Sequence, residues 1–389
     1  MKILGIETSC DETAISLIEI DEKKHSVSIL GNTVHSQIDL HSPHGGVFPM
    51  LAKREHQANL IPVLKKTLKE AGMLKKATGK LDSKTLTFLE KEESLSKAFA
   101  EFIPSIARPD MDFISITTGP GLEPALWVGI SFARALSHAW NIPLIPCNHM
   151  EGHILSALIQ KKGDAYELLK PQFPALSLLI SGGHTQIVLV EKVGVYKILG
   201  ETRDDAIGEC FDKVARMLGL TYPGGPKISK LAKEARAHNI HSPEPLPRPM
   251  IDSKNFDFSF SGLKTAVLYL VQKLTTEGTK LTEHRILGIA RETEDAVTDV
   301  LISKMRKAIE HYAIETIIVG GGVIANEHIR MNLEKLATEC SIKLLLPQTD
   351  HSTDNGLMIA LAGFYNSDKK TDSSTHLKAQ GTLSLGPRA

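Results

Sequence analysis

Short runs of apolar residues, bounded by polar or glycine-containing turns, alternate along the chain with segments in which apolar residues return every three or four positions. The short runs predict β-strands and the helical spacing predicts α-helices. The predicted strands cover residues 2–6, 14–20, 26–36, 113–118, 142–146, 175–180, 187–193, 316–319 and 343–346. The predicted helices cover residues 47–72, 124–140, 205–218, 325–340 and about 354–365, and two more follow His149 and Phe258. Alternating strands and helices indicate an α/β fold with partly parallel sheets.

The same order of elements occurs in both halves of the chain. Each half begins with a strand, a polar turn and a strand, and ends with a strand, a glycine turn, a helix, a strand and a helix. One offset of 201 residues separates Gly119 from Gly320 (320 − 119) and His153 from Asp354 (354 − 153). Such a constant offset indicates an internal repeat of a whole lobe.

The repeat predicts a two-lobed protein. We expect an N-terminal lobe at residues 1–165 and a C-terminal lobe at residues 166–389, with the last helix, at about 354–366, packing back at the lobe interface. Two such lobes would form a cleft, where a nucleotide or substrate usually binds. Residues 75–110 are rich in Lys, Glu, Ser and Thr and are predicted to be a charged helical insertion on the solvated surface. Residues 222–226 are predicted to be a rigid loop.

Composition and charge are those of an ordinary globular protein. The 389 residues are 42% hydrophobic and 23% charged, and 45 basic residues balance 45 acidic ones. Without an overall basic field, a role on nucleic acid would need a local patch or a partner. The four cysteines form no C-x-x-C pair. We see no signal-peptide pattern and no apolar run of membrane-spanning length, so the sequence predicts a cytoplasmic protein.

Two histidines carry the strongest chemical signal. His149 and His153 are four residues apart, so on a helix they share one face and can hold one zinc, iron or copper ion together. The alternative is that they are two unrelated histidines among 16. Glu151 lies midway between them and points to the opposite side of such a helix. This placement disfavours a zinc protease, in which the glutamate of H-E-x-x-H lies beside the metal.

The repeat suggests a third ligand. If the two lobes are related by a pseudo-twofold axis, their last helices are mates, and Asp354 would approach the histidine pair. Two histidines and one carboxylate suit a catalytic zinc or iron site with open positions. Alternatively, Asp354 caps the free N–H groups at the start of its helix.

Glycine turns and a polar hairpin turn are candidate nucleotide contacts. Ser181, Gly182 and Gly183 let the backbone approach a phosphate closely, and residues 320–322 could do the same before a helix. Residues 7–13 form a turn rich in hydroxyl and carboxylate groups that suits phosphate or metal–phosphate binding. Ordinary glycine turns and a plain β-hairpin are the alternatives.

Taken together, these motifs resemble those of the tRNA adenosine threonylcarbamoyltransferases, in the bacterial TsaD form. The resemblance is carried in the family's order by residues 5–13 (GIETSCDET), 118–122, 149–153 (HMEGH), 181–186 (SGGHTQ), 208–213, 222–226, 258–265, 320–326 and 354–355. It implies the two-lobed actin, hexokinase and Hsp70-like (ASKHA) fold, with duplicated RNase H-like lobes and a central cleft. Residues 75–110 depart from the compact bacterial pattern, and Ser229 stands where many relatives have an aspartate.

The resemblance also implies site residues. One divalent metal ion, iron or alternatively zinc, would be held by His149, His153 and Asp354. The remaining residues of the family's site contact the substrate and its nucleotide part. They map onto Leu179, Ile180, Ser181, Gly182, Gly183, Asp212, Gly225 and Asn326.

The implied reaction moves a threonylcarbamoyl group from threonylcarbamoyl-AMP to the N6 amine of the tRNA adenosine 3′ to the anticodon, in tRNAs that read ANN codons, and releases AMP. Asp11 is a hypothetical base or orienting group, with a simple hairpin-tip carboxylate as the alternative. Expected partners are tRNA, a paralogous pseudo-subunit of the TsaB type and a small ATPase of the TsaE type. The competing interpretation is a small-molecule kinase of the same fold, which would have no use for the histidine pair.

Overall fold

A computed structural model describes residues 1–163, 165–275, 281–372 and 377–389. The strands in these ranges are β1 Lys2–Glu7, β2 Glu12–Asp21, β3 Ser26–Ser36, β4 Phe113–Gly119, β5 Leu144–Asn148, β6 Ile159–Lys162, β7 Ala165–Leu168, β8 Ala175–Ile180, β9 Thr185–Lys192, β10 Val195–Glu201, β11 Thr316–Gly320 and β12 Lys343–Leu345. The α-helices are α1 Ile38–His41, α2 Pro49–Glu70, α3 Ser83–Thr87, α4 Glu93–Phe102, α5 Glu123–Trp140, α6 His149–Ser156, α7 Ile207–Met217, α8 Gly224–Ala237, α9 Ser261–Leu274, α10 Glu283–Tyr312, α11 Glu327–Glu339 and α12 Gly356–Tyr365. No helix in the described ranges has both the length and the apolarity needed to cross a membrane.

The chain forms two compact units. Unit 1 consists of residues 1–40, 47–170 and 353–385, and unit 2 consists of residues 41–46, 171–352 and 386–389. The first crossing from unit 1 into the main part of unit 2 lies close to the expected division after residue 165. Residues 353–385, which include α12, belong to unit 1 although the sequence division assigns them to the C-terminal lobe.

The sheet of unit 1 has seven strands in the order β5-β4-β1-β2-β3-β7-β6. The first three strands in the chain pair antiparallel, β1 with β2 and β2 with β3. Then β4 pairs parallel to β1, with Ile3 opposite Phe113, and β5 pairs parallel to β4, with Ile114 opposite Leu144. The parallel steps need a crossover, which α5 supplies between β4 and β5.

The sheet of unit 2 repeats this plan. Its order is β10-β9-β8-β11-β12, with β8–β9 and β9–β10 antiparallel and with β8–β11 and β11–β12 parallel. The order 3-2-1-4-5 and the strand directions therefore agree between the two units. The predicted α/β class and the duplication of an RNase H-like lobe are confirmed by this topology.

Helix α12 packs directly on the sheet of unit 1. Its sequence, GLMIALAGFY, is apolar on all sides, and Gly356 to Gly363 are all buried. The helix start approaches the strands so closely that a Cβ on Gly356 would lie 2.4 Å from the backbone nitrogen of Ser16, and a Cβ on Gly5 would lie 2.1 Å from the carbonyl oxygen of Gly356. Only glycine permits this backbone contact. It fixes the start of α12, and with it Asp354, against β1 and β2.

Residues 75–110 contain more than a solvated surface element. On α4 and the turn after it, Leu95, Phe99 and Ile103 recur at helical spacing and are buried in the core of unit 1. The Phe99 ring packs edge-on against Phe132 of α5, with the ring centroids 6.1 Å apart. The expectation of a purely solvated insertion is therefore wrong. The many charged residues of this segment obscure, in the sequence, one row of apolar residues that packs into the core.

Several elements were absent from the sequence prediction. The β6–β7 hairpin, β10 and the long helix α10 have no counterpart in it. Helix α8 begins at Gly224, inside the segment predicted to be a rigid loop, and Pro226 lies in its first turn. A proline is tolerated there because the N–H groups of the first turn have no partner within the helix.

Candidate metal centre

Helix α6 presents the two histidines from the edge of the unit 1 sheet. It follows β5 directly, and Asn148 caps it: the Asn148 Oδ1 accepts hydrogen bonds from the backbone N–H groups of Met150 at 2.9 Å and Glu151 at 3.3 Å. The cap fixes where the first turn begins. Consequently, His149 and His153 lie one above the other on the same face, with ring centroids 4.7 Å apart.

Asp354 meets the histidine pair, as the repeat predicted. Its Oδ1 lies 3.1 Å from Nε2 of His153 and 3.5 Å from Nε2 of His149. Among the described residues, these three are the group whose ligand atoms all lie close enough to one another to share one ion. Both histidines are buried, and the Asp354 side chain is one-fifth exposed.

The three side chains fit a metal ion. Four ligands at about 2.0–2.2 Å around zinc lie about 3.3–3.6 Å from one another, which is close to the 3.1 and 3.5 Å between Asp354 Oδ1 and the two histidine nitrogens. Within the part of the chain that the structure describes, neither ring nitrogen of the fully buried His153 has a hydrogen-bond partner, although its Nε2 lies 3.1 Å from Asp354 Oδ1. A buried polar atom without a partner is costly, whereas a nitrogen lone pair directed at an ion is satisfied. The donor set of two imidazoles and one carboxylate suits zinc or iron.

The electrostatics of the cluster also favour a cation. Burial lowers the pKa of His149, but the nearby carboxylates of Asp354 and Glu7 raise it more, so that the pKa of the metal-free side chain is about 9. The fully buried Glu7 carboxylate lies 3.1 Å from Nδ1 of His149, on the side of the ring away from Asp354. The cluster therefore attracts positive charge, which a proton or a metal ion can supply.

Two alternatives are settled by neighbouring contacts. The Glu151 carboxylate accepts a hydrogen bond from Asn366 Nδ2 at 2.8 Å and lies outside the ligand cluster, so the geometry of a zinc protease is absent at this site. Asn355, and not Asp354, caps α12: its Oδ1 accepts a hydrogen bond from the backbone N–H of Met358 at 2.9 Å. The Asp354 carboxylate faces the histidines.

The turn that contains Asp11 is held in place from several sides. The Ser9 carbonyl accepts a hydrogen bond from Leu122 N–H, and the Asp11 carbonyl accepts one from Gln37 N–H. Between them, the Cys10 carbonyl is hydrogen-bonded to His56 Nε2. The Asp11 side chain is almost fully buried. Asp11 thus lies in the turn of the β1–β2 hairpin, which these hydrogen bonds hold beside His149.

Glu12, beside Asp11, is a half-buried carboxyl that the sequence analysis did not single out. Burial raises the pKa of Glu12 well above its usual value, and the charges of Asp11 and Asp354 raise it further. Burial and the same two charges also raise the pKa of the Cys10 thiol. These shifts indicate that the turn lies within electrostatic range of Asp354.

In unit 2, the predicted nucleotide residues gather at one edge of the sheet. Strands β8 and β11 are parallel, so the turns that follow them lie side by side, and a Cβ on Gly321 would come within 2.4 Å of the Ile180 carbonyl oxygen. A Cβ on Gly182 or on Gly183 would meet no atom of the described residues within 4 Å. This open space above a glycine turn leaves room for a ligand against the backbone. Leu179 and Ile180 are fully buried, so only their backbone can face that space.

Asp212, Gly225 and Asn326 flank this edge through defined contacts. The Asp212 Oδ1 accepts a hydrogen bond from the backbone N–H of Gly224 at 2.6 Å and so orders the start of α8. Asn326 caps α11 by accepting from Ile329 N–H at 3.0 Å, and its Nδ2 donates to Glu294 at 2.6 Å. Both polar atoms of the Asn326 amide thus have partners within the protein. Asn326 therefore orders the start of α11, in addition to being a predicted ligand contact.

Glu7 is the site residue that sequence reasoning missed. It ends an apolar strand, and its partners Thr117 and His149 lie far along the chain. The sequence did contain one signal for it, because Glu7 is a charged residue at the end of an apolar strand. A carboxylate that is buried with such a strand needs a hydrogen-bond or charged partner.

Comparison with known proteins gives consistent results. The chain matches a family model described as tRNA N6-adenosine threonylcarbamoyltransferase over residues 28–80 and 92–361. Residues 81–91 are therefore the part of the expected insertion that the family model leaves out.

Two curated proteins with that description are similar over their whole length. The protein from Thermosipho africanus is 41% identical over 385 residues, covering 99% of this chain and 100% of the relative. The protein from Dictyoglomus turgidum is 40% identical over 388 residues, covering 100% of both.

Solved structures of distant proteins also align with most of the chain. A ROK hexokinase from Thermus thermophilus has a TM-score of 0.39 at 14% identity, covering 95% of this chain and 99% of that one. The activator of 2-hydroxyisocaproyl-CoA dehydratase from Clostridium difficile has a TM-score of 0.45 at 11% identity, covering 95% of both chains. These likenesses are too distant to bear on activity. The family match and the full-length relatives show that this chain belongs to the tRNA N6-adenosine threonylcarbamoyltransferase family.

Proposed function

We propose that this protein transfers a threonylcarbamoyl group from threonylcarbamoyl-AMP to the N6 amine of the tRNA adenosine 3′ to the anticodon, with release of AMP. The convergence of His149, His153 and Asp354 is the observation that carries the proposal. It provides the metal-binding group that such a transfer needs, in a chain of the matching family. A kinase of the same fold class would not require it.

The chemistry explains why a cation is useful. In the transfer, the N6 nitrogen forms a bond to the carbamoyl carbon, the bond from that carbon to the phosphate oxygen breaks, and AMP leaves with the electron pair. An aromatic amine is a weak nucleophile, so the donor must be activated. A bound metal ion, iron or zinc, would polarise the donor and offset the charge of the departing phosphate.

The protein's own groups would bind the donor and hold the proton. Ser181 and the backbone amides of Gly182 and Gly183 are proposed to contact the donor. The Ser181 N–H itself donates to the His184 carbonyl oxygen, whereas glycine leaves the other two N–H groups accessible. Asp212 is proposed to accept hydrogen bonds from ribose hydroxyls through its carboxylate. Asp11 is proposed to take, or to orient, the proton that leaves the attacking amine.

Partners are proposed to complete the reaction. With 45 basic and 45 acidic residues, the chain has no overall field that would attract tRNA. We therefore expect activity in the presence of a paralogous pseudo-subunit and a small ATPase, as family members of the bacterial type suggest. A tRNA substrate also implies a cytoplasmic location.

The test is mass spectrometry of tRNA nucleosides. The protein, both expected partners and unmodified tRNA are incubated with threonine, bicarbonate and ATP, together with the enzyme that makes the adenylate. We expect threonylcarbamoyladenosine with the unchanged protein and with His238→Ala, which alters an exposed histidine of unit 2. We expect none with His149→Ala. Full modification by His149→Ala would contradict the proposal, and so would phosphorylation of a sugar in place of tRNA modification.

Asp11 is tested separately with preformed threonylcarbamoyl-AMP, which bypasses donor synthesis. If Asp11→Asn transfers the group at the unchanged rate, Asp11 has no role in proton transfer.

A further inference from the structure

A buried carboxylate contacts one of the two histidines of the candidate metal centre, on the side of the ring away from Asp354. Glu7 ends β1 and is fully buried. Its Oε1 accepts a hydrogen bond from Ser9 N–H at 2.5 Å, and its Oε2 accepts one from the Thr117 hydroxyl at 2.6 Å. The same Oε2 lies 3.1 Å from Nδ1 of His149. The Glu7 side chain is thus fixed by two donors before it contacts the imidazole.

This contact determines which nitrogen of His149 carries the proton. An ionised carboxylate only accepts hydrogen bonds, so its partner nitrogen must be Nδ1–H. In the neutral ring the lone pair then lies on Nε2. Nε2 is the nitrogen that lies 3.5 Å from Asp354 Oδ1, on the side where the three ligand atoms converge.

A second group competes for the same nitrogen. The Ser9 hydroxyl also lies 3.1 Å from Nδ1 of His149. If this hydroxyl donated to Nδ1, the ring would be the other tautomer, with its proton on Nε2 and no lone pair for an ion. The Glu7 carboxylate excludes that arrangement, because it offers only acceptor atoms to Nδ1.

We propose that Glu7 is the positioning residue of the metal centre: it holds the His149 ring as the Nδ1–H tautomer, with the Nε2 lone pair directed at the ion. The proposal rests on the proposed metal site and adds a residue that is not itself a ligand. A carboxylate that accepts a hydrogen bond from a metal-bound imidazole orients the ring and increases its basicity.

The two histidines should therefore differ in how much they depend on Glu7. Nδ1 of His153 has no hydrogen-bond partner among the described residues, although its ring is fully buried. On the side away from Asp354, the Glu7 carboxylate orients the His149 ring, and no described group does the same for the His153 ring. Consequently, the loss of Glu7 should change the tautomer and orientation of the His149 ring and leave the His153 ring unchanged.

The first test is zinc affinity, measured by competition with a chromophoric chelator. Glu7→Gln keeps the size of the side chain but replaces one acceptor with an NH2 group. Facing Nδ1, that group would donate a hydrogen bond and favour the tautomer with its proton on Nε2. We expect zinc affinity to fall about 10–100-fold, the usual cost of losing such an outer partner.

The matched control is Ser9→Ala, which removes the competing hydroxyl from the same nitrogen and leaves Glu7 in place. We expect a much smaller loss of zinc affinity. Thermal unfolding of both metal-free variants shows whether either change disrupts the fold. If Ser9→Ala loses the affinity and Glu7→Gln keeps it, the assignment is overturned.

A second readout does not depend on affinity. In the zinc-loaded protein, nitrogen-15 NMR of the histidine rings should show an Nδ1–H proton on His149 in a strong hydrogen bond. In zinc-loaded Glu7→Gln at saturating metal, that signal should shift or disappear, while the His153 signals stay in place. An unchanged His149 spectrum in Glu7→Gln would overturn the proposal.

His149→Ala separates this proposal from the one on which it rests. If His149→Ala binds zinc as tightly as the unchanged protein, the metal site itself is wrong. If His149→Ala loses zinc and Glu7→Gln does not, the metal site stands and only the role of Glu7 fails.

Discussion

Replacement of Gly356 by alanine should disable the metal centre from a position that contacts no ligand. Gly356 is the first residue of α12, two residues after Asp354, and it lies against the strands of unit 1. A Cβ at this position would lie 2.4 Å from Ser16 N, 2.7 Å from the Ile15 carbonyl carbon and 2.8 Å from Gly5 O. All three atoms belong to the backbone of a sheet, so they have little freedom to move.

The displacement follows from these contacts. Ordinary contact begins near 3.4 Å, so the start of α12 must rise from the sheet by about 1 Å (3.4 − 2.4). Overpacking of this kind costs about 1–3 kcal/mol of unfolding free energy. A metal site tolerates only about 0.2 Å in its ligand distances. Asp354 would therefore be moved beyond bonding distance of the ion. Disturbing the groups that orient a ligand usually lowers metal affinity about 10-fold or more, and we expect a loss of zinc affinity of at least that size.

The assay is zinc competition combined with thermal unfolding of the metal-free protein. Gly363→Ala is the matched control, because Gly363 lies two turns along the same helix and its Cβ would meet the Ser115 side chain at 2.6 Å. We expect both variants to lose stability but only Gly356→Ala to lose zinc. Normal zinc affinity in a destabilised Gly356→Ala protein would refute the reasoning, since it would mean that the approach of α12 does not set the position of Asp354.

Three further predictions concern other parts of the molecule. Asn366→Ala removes a hydrogen bond from the buried Glu151 carboxylate, so the unfolding free energy should fall by about 1–3 kcal/mol, while zinc titration should show an unchanged site. Burial lowers the pKa of Lys304 to about 8 from its usual 10.5; because the unfolded chain alone holds this proton between those values, the unfolding free energy should rise with pH across that window, and urea denaturation should show no such contribution in Lys304→Met. Gly182→Ala adds a Cβ into open space, so calorimetry should show weaker AMP binding while stability changes by less than about 0.5 kcal/mol.

The sequence predicts the centre of the fold well because its signals there are strong and local. The strands at residues 26–36 and 175–180 coincide with β3 and β8, since apolar runs with clear turns at both ends leave little choice. The constant offset between the two halves also located Asp354 opposite His149 and His153. A repeat carries long-range information that periodicity alone lacks.

What the sequence did not predict depends on contacts between distant segments. The role of Glu7 becomes visible only when β1, β4 and α6 lie together, because its partners Thr117 and His149 come from the other two elements. The edge strand β10 was missed because Lys197 and Gly200 interrupt its short apolar run and only its first four residues alternate between exposed and buried. The apolar stripe of α4 was hidden by the charged residues around it.

The place of α12 in the chain determines when the three-residue cluster can form. Every strand in the described ranges precedes α12, and a chain that ends before residue 353 lacks both Asp354 and the apolar helix that packs on the sheet of unit 1. The cluster would therefore assemble only after residue 354 has been synthesised. We expect truncated products that stop earlier to compete poorly for scarce metal in the cell.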